Sequence, residues 1–202
     1  MIRGIVLAAG MGRRMGLPKA LVTLEGETFH GRAVNTLRSA GIEIVTVVNP
    51  MVARALPSPN VDELRVVNHD PDQESGMFSS VRLGVAEAMR LGAEGAVLLP
   101  VDHPFVTAGD VQAVVNALRA GADIVVPIQG GRRGHPTGIS RAVMAEIEGA
   151  PHDATLRDIV RRDPGRVVET PASEGCRIGI NTRDDLERAS NRTFRYTCLL
   201  PP

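Results

Sequence analysis

Short apolar runs rich in Val and Ile alternate along this chain with longer amphipathic stretches, and that alternation narrows the fold more than any other feature. Residues 3–8, 43–49, 64–68, 96–101 and 123–128 read as strands. Residues 29–40 read as a helix stopped by Gly41. Residues 77–91 give the clearest helix, with Val81, Val85, Ala88 and Met89 on one face and Gly92 after its end. Thr107 stands where it can cap a helix that reaches Ala120, with Asp110 three residues on in the capping-box pattern. Strands separated by single helices imply right-handed crossovers and a mainly parallel sheet covered on both faces. The expected fold class is α/β, three layers, helices on each side of the sheet.

Beyond Ile128 the alternation weakens. Residues 129–134 form a polar turn, residues 142–148 and 155–162 short helices, residues 177–181 a short strand, and residues 182–192 a final polar helix. No repeat or linker interrupts the chain. The expectation is one domain over residues 1–192, followed by a tail at 193–202 that the sequence does not place.

Composition excludes several classes. At 202 residues the chain is long enough to bury a core without disulfides or metals. Lys plus Arg and Asp plus Glu both number 23, so there is no basic excess to neutralise a phosphate polymer. Four Phe, one Tyr and no Trp offer few platforms for stacking bases, and together these features argue against nucleic acid as a partner. Cys176 and Cys198 are too few for a disulfide framework or a Cys-based zinc site; two free thiols are expected, with a single bridge as the alternative. The five histidines lack metal-ligand spacing. Met1 leads almost directly into a strand, with no export-signal pattern, and no apolar run approaches the ~20 residues of a membrane span. A cytoplasmic protein without a membrane partner is expected.

The strongest constellation is Leu7-Ala8-Ala9-Gly10-Met11-Gly12-Arg13-Arg14-Met15-Gly16-Leu17-Pro18-Lys19. It follows the first strand, at the carboxyl end where open parallel sheets place ligands. Glycines allow close backbone approach, exposed amides cradle phosphate oxygens, and Arg13, Arg14 and Lys19 add positive charge. Lys19 is the one lysine among the 23 basic residues. The dinucleotide fingerprint G-x-G-x-x-G fails because Met15 stands at its third glycine. The P-loop pattern fails because Lys19 follows Gly16 by three residues and Ala20 replaces its Ser or Thr. An ordinary strand-to-helix turn is the plain alternative to an anion site for a polyphosphate.

The stretch Ala8-Ala9-Gly10-x-Gly12-x-Arg14-Met15-Gly16-x-Pro18-Lys19 resembles the signature of nucleotidyltransferases with the nucleotide-diphospho-sugar transferase fold. Within that fold it is most similar to the branch that transfers a nucleotide to molybdenum cofactor. The resemblance extends over roughly residues 1–190 and implies a Rossmann-like sheet. Four further segments take part. Gly76-Met77-Phe78-Ser79-Ser80-Val81-Arg82 matches the branch's Gly-Met-x-x-Ser turn, although a simple helix cap also accounts for it. Asp102-His103-Pro104 matches the strand-end Asp-x-Pro, with His103 where the cytidylyl branch is expected to carry Gln. Gly131-Arg132-Arg133-Gly134-His135-Pro136 matches a Gly-His-Pro loop, otherwise a solvent-exposed turn. Ile178 to Leu186 resembles a late turn that carries Asp or Asn before Thr; here that position is Asn181, an amide and so a weaker metal ligand, and Thr182 with Asp185 also forms a helix cap.

The resemblance implies the following site. Leu7, Ala8, Ala9, Gly10, Gly12, Arg14, Lys19, Gly76 and Ser80 bind the nucleotide. Arg14, Lys19 and Asp102 are catalytic, Asp102 and Asn181 hold Mg²⁺, and Arg133, His135 and Pro136 meet the acceptor. The implied reaction moves a nucleoside monophosphate from a nucleoside triphosphate to a molybdopterin-type phosphate and releases pyrophosphate. The product would pass to a molybdoenzyme. Ala9, where the guanylyl branch usually has Gly, crowds a purine more than a pyrimidine and favours CTP over GTP. Guanylyl transfer to the same cofactor, a sugar-phosphate nucleotidyltransferase, and a non-catalytic nucleotide-binding or cofactor-delivery protein are the alternatives.

Overall fold

The computed structural model describes residues 1–69, 77–151 and 153–197, the last seven of these by backbone alone. The strands are β1 (Ile2–Ala8), β2 (Thr23–Leu24), β3 (Glu27–Thr28), β4 (Ile44–Val48), β5 (Glu63–Val67), β6 (Gly95–Pro100), β7 (Ile124–Gln129), β8 (Arg132–Arg133), β9 (Thr137–Ser140) and β10 (Val167–Pro171). The helices are α1 (Phe29–Ser39), α2 (Pro50–Ala55), α3 (Met77–Arg90), α4 (Ala108–Arg119), α5 (Arg141–Gly149), α6 (Leu156–Arg162) and α7 (Arg183–Thr197). The eight-stranded main sheet has the order β10-β7-β9-β6-β1-β4-β5, with β8 paired to β7; β2 and β3 form a separate hairpin.

The expected three layers are present. β1 alternates across the sheet, as strand geometry requires. Val6 and Ala8 enter one core with Phe29 and Leu37 of α1 and Val111, Val114 and Val115 of α4. Ile5 and Leu7 enter the other with Phe78, Val81 and Val85 of α3 and Val143 and Ile147 of α5. Among the described residues no helix is long and apolar enough to cross a membrane.

β1, β4, β5 and β6 pair in parallel, as the strand–helix alternation implies. The far side of the sheet is mixed. β9 lies antiparallel between β6 and β7, and β10 runs parallel to β7 at the edge. The sequence reading missed both. β9 is four residues long and contains Gly138, where an added Cβ would stand 2.5 Å from Val114 Cγ1, so a side chain there would push α4 off the sheet. The strand expected at residues 177–181 is not one. A 3-10 turn, Glu174–Arg177, ends there, and the following extended segment is held by the Ile180 amide donating to the Asp102 carbonyl at 2.8 Å. Ile178 and Ile180 alternate as in a strand because Ile180 is fully buried, yet the segment joins no ladder. The last helix runs past the expected end at residue 192 to Thr197, and Cys198 lies outside the described residues.

Candidate active site

The site forms where parallel neighbours end side by side. Leu7 pairs in register with Pro100, so the loop after β1 and the residues after β6 leave the sheet at one place although 83 residues separate Lys19 from Asp102. The loop is built around Gly12, whose φ is +62°. Its carbonyl accepts from the Met15 amide at 2.8 Å and the Gly16 amide at 3.0 Å, and an added Cβ would lie 1.9 Å from the Leu17 carbonyl oxygen. Only glycine meets both conditions. Met15, 2% exposed, anchors the loop in the core. Asn49, just after β4, closes it from the other side. Its Nδ2 donates to the Ala9 carbonyl at 2.9 Å while its Oδ1 accepts from the Val52 amide at 2.8 Å and caps α2. An Asn followed by Pro is an N-terminal helix signal in the sequence, but its second bond to the loop is visible only in three dimensions.

Pro18 precedes the 3-10 turn Lys19–Leu21, which aims the Lys19 side chain at two oxygens. Lys19 Nζ donates to Asp102 Oδ2 and to Asn181 Oδ1, each at 2.7 Å. The side chains of Lys19 and Asp102 are 20% and 23% exposed, sheltered but reachable from solvent. Asn181 is placed by Asp185, which accepts from the Asn181 and Thr182 amides at 3.0 and 2.9 Å. Those two bonds and the Arg188 guanidinium hold the Asp185 carboxyl well below the usual carboxylate range. The Asp185 amide also donates to Thr182 Oγ1 at 3.2 Å, so the late turn is a helix cap and a site wall at once.

A cavity of about 390 Å³ opens on this pair. Leu7, Ala9, Gly10, Gly12, Arg13, Arg14 and Lys19 line one side, and Ser80, Asp102 and Asn181 the other. Ser80 Oγ accepts from Asn68 Nδ2 at 3.0 Å. Ala8 does not line the cavity, because strand alternation turns its methyl into the α1 and α4 core. Gly76 lies outside the described residues. Arg133, His135 and Pro136 do not line the cavity either. The Arg133 guanidinium pairs with Glu169 on β10 at 2.8 Å, and Pro136 is buried.

His135 instead meets His103, the residue after Asp102. Their ring centroids are 4.3 Å apart with planes tilted by 55°. Both Nδ1 atoms are buried without a hydrogen-bond partner among the described residues. Burial, and then the neighbouring His103, pushes the His135 imidazole down to about 4, and burial lowers His103 as well, so both rings are neutral at pH 7. The sequence marked His103 only as a departure from a pattern. Its contact with His135 joins the ends of β6 and β8, which no local signal links.

A larger cavity, about 650 Å³, sits beyond the 179–181 segment against Phe105, Ile178, Ile180 and Arg188. It is bigger, but the glycine loop and its cations do not reach it, so size does not mark the chemical centre here. No three His, Cys, Asp or Glu side chains among the described residues cluster as a metal site. The protein therefore offers a divalent cation two oxygens, Asp102 Oδ2 and Asn181 Oδ1, which already converge on one positive charge. Such a set suits Mg²⁺, which keeps several waters and takes one or two protein oxygens together with substrate phosphates.

Fold and site thus define an α/β protein with a glycine-rich cationic loop opposed to a strand-end carboxylate. The pattern described as the MobA-like NTP transferase domain matches residues 4–167, and the chain belongs to that family. The molybdenum cofactor guanylyltransferase of Rhodobacter capsulatus is 31% identical over 199 residues, 95% of this chain and 96% of that one. A probable molybdenum cofactor guanylyltransferase of Opitutus terrae is 34% identical over 62% of this chain, and a 2-C-methyl-D-erythritol 4-phosphate cytidylyltransferase of Saccharopolyspora erythraea is 36% identical over 61%. The matches span 59% and 58% of those two proteins' lengths. The crystal structure of Rv0371c from Mycobacterium tuberculosis superposes with a TM-score of 0.79 at 26% identity, covering 94% of this chain and 97% of that one.

Proposed function

We propose that this protein is a nucleotidyltransferase that moves a nucleoside monophosphate from a nucleoside triphosphate to the phosphate of a molybdopterin-type cofactor. The observation that carries the reading is the 2.7 Å approach of Lys19 to Asp102 across one cavity, which supports the loop as the phosphate-binding element and Asp102 as the metal-binding carboxylate for one triphosphate. The loop amides, Arg14 and Lys19 bind and orient the triphosphate. An acceptor oxygen attacks the α-phosphorus, the bond to the β-phosphate bridging oxygen breaks in line, and pyrophosphate leaves with that oxygen. A phosphomonoester is already largely ionised at neutral pH, its second pKa being about 6, so the acceptor needs no protein base. Asp102 and Asn181 would hold a divalent cation, which supplies charge neutralisation at the phosphate oxygens when bound.

CTP is the favoured donor, because Ala9, which lines the cavity, stands where the guanylyl branch usually has Gly, and the larger residue favours the smaller base. GTP is the second reading, favoured by the R. capsulatus guanylyltransferase that matches along 96% of its length. Pyrophosphate release is measured with each of CTP, GTP, UTP and ATP, Mg²⁺ and a molybdopterin acceptor. Acceptor-dependent release with one base supports the reading and fixes the donor. Release with sugar phosphates only, or with no acceptor at all, removes it.

A further inference from the structure

The two oxygens that suit a divalent cation are not vacant. Both are satisfied by one ammonium, Lys19 Nζ, at 2.7 Å from each. A divalent cation coordinated by the same two oxygens would compete with Nζ for them.

We propose that Lys19 fills the divalent-cation position in the nucleotide-free protein, so that the metal enters with the nucleotide and not before it. The inference rests on the nucleotidyltransferase reading for the identity of the ligand and on the Lys19 geometry for the exclusion.

Charge balance supports the exclusion. Asp102 contributes one negative charge and Asn181 contributes none, so Lys19 neutralises the set. A divalent ion added beside Lys19 would leave two excess positive charges in a cleft where both Lys19 and Asp102 are mostly shielded from solvent. Such repulsion is weakly screened in a sheltered site. A triphosphate changes the balance by offering Lys19 other oxygens.

Lys19 is also built to move. Its backbone is fixed by Pro18 and by the Val22 amide donating to its carbonyl at 3.1 Å. The four-carbon stem beyond it is flexible, and an ammonium can exchange one oxygen partner for another without a required plane. Gly10, Gly12 and Arg14 line the same cavity, so the side chain has a phosphate site to swing toward. Metal and nucleotide affinities are then linked, each raising the other by the same factor.

The test reads Mn²⁺ binding to nucleotide-free protein by electron paramagnetic resonance of the free ion, with no turnover involved. Lys19→Met and Lys19→Gln should each bind Mn²⁺ about tenfold or more tightly than the native protein, the size of an ordinary coupling between sites. Adding Asp102→Asn should abolish that gain. The native protein should bind Mn²⁺ more tightly with a non-hydrolysable CTP or GTP analogue than either component alone accounts for. The inference is overturned if both folded Lys19 variants bind Mn²⁺ no better than the native protein. It is equally overturned if the native protein binds Mn²⁺ as tightly without nucleotide as with it, a result that requires no variant to fold. Failure of the native protein to release pyrophosphate, with the Mn²⁺ result as expected, would overturn the proposed reaction and leave the exclusion standing.

Discussion

Gly12→Ala separates a loop that glycine makes possible from one that merely contains glycine. At φ +62° an alanine costs about 1–2 kcal/mol from the left-handed conformation alone. The new methyl would also stand 1.9 Å from the Leu17 carbonyl oxygen, where real Cβ atoms keep beyond 3.0 Å, so backbone has to move by about an ångström. That movement breaks the pair of bonds the Gly12 carbonyl accepts from Met15 and Gly16. Together these effects should destabilise the protein by about 2–3 kcal/mol, the upper part of the range for single substitutions. For a chain of this length that is a fall of about 4–12 °C in Tm. Gly10→Ala is the control, because its Cβ would meet nothing within 4 Å, and its stability should change by no more than about 0.5 kcal/mol. Thermal melts and calorimetric titration with the nucleoside triphosphate check both variants. Gly12→Ala should also lose about tenfold or more in nucleotide affinity, since its methyl would lie 3.1 Å from the Lys19 backbone nitrogen and displaces a positioned cation. A Gly12→Ala protein that melts within a degree of the native one and binds nucleotide equally well would refute the reasoning.

Other substitutions probe separate parts of the structure. Lys19→Ala should lower pyrophosphate release by about 10²-fold or more at saturating nucleotide, as loss of one preorganised charge does; a fall of less than about threefold speaks against its role. Burial pushes the Glu63 carboxyl up, but His30 Nε2 at 3.0 Å and Arg65 at 3.2 Å outweigh it and hold the group at about 2 against an ordinary 4.5. Its contribution is therefore present above about pH 4.5 and disappears as pH falls through 2. Glu63→Gln should cost about 3 kcal/mol at pH 7, with the gap to the native protein closing between those pH values; a gap constant with pH contradicts this. Gly134→Ala would place a methyl 2.3 Å from the Cys176 carbonyl, which accepts from the His135 amide at 2.8 Å, and should lower stability by about 2–3 kcal/mol in thermal melts. An unchanged melting curve would show that this loop packs differently.

The half of the molecule that carries the glycine loop was legible because its signals are local and agree with one another. Buried strands alternate with amphipathic helices, and Thr107 with Asp110 forms the capping box its spacing implies. The proximity of Lys19 and Asp102 was legible at one remove, since adjacent parallel strands deliver their ends to one edge. The other half was not. Residues 177–181 satisfy a strand pattern in composition, but the slots beside β7 are taken by β9 and β10, and tertiary competition decides. β10 ends in Pro171 and exposes Val168, which gives little period-two signal. The His103–His135 contact and the second bond of Asn49 depend on pairs distant in sequence, so no window along the chain contains them.

The most direct measurement is transfer of an α-phosphate-labelled nucleotide to a molybdopterin-type acceptor in Mg²⁺, by the native protein and by Asp102→Asn. The native protein should form labelled product and pyrophosphate in equal amounts. The variant should fall by about 10³-fold while keeping its melting temperature, as expected when one charge is lost from a preorganised site. Near-native transfer by Asp102→Asn, or no transfer by the native protein with any of the four nucleotides, would contradict the account.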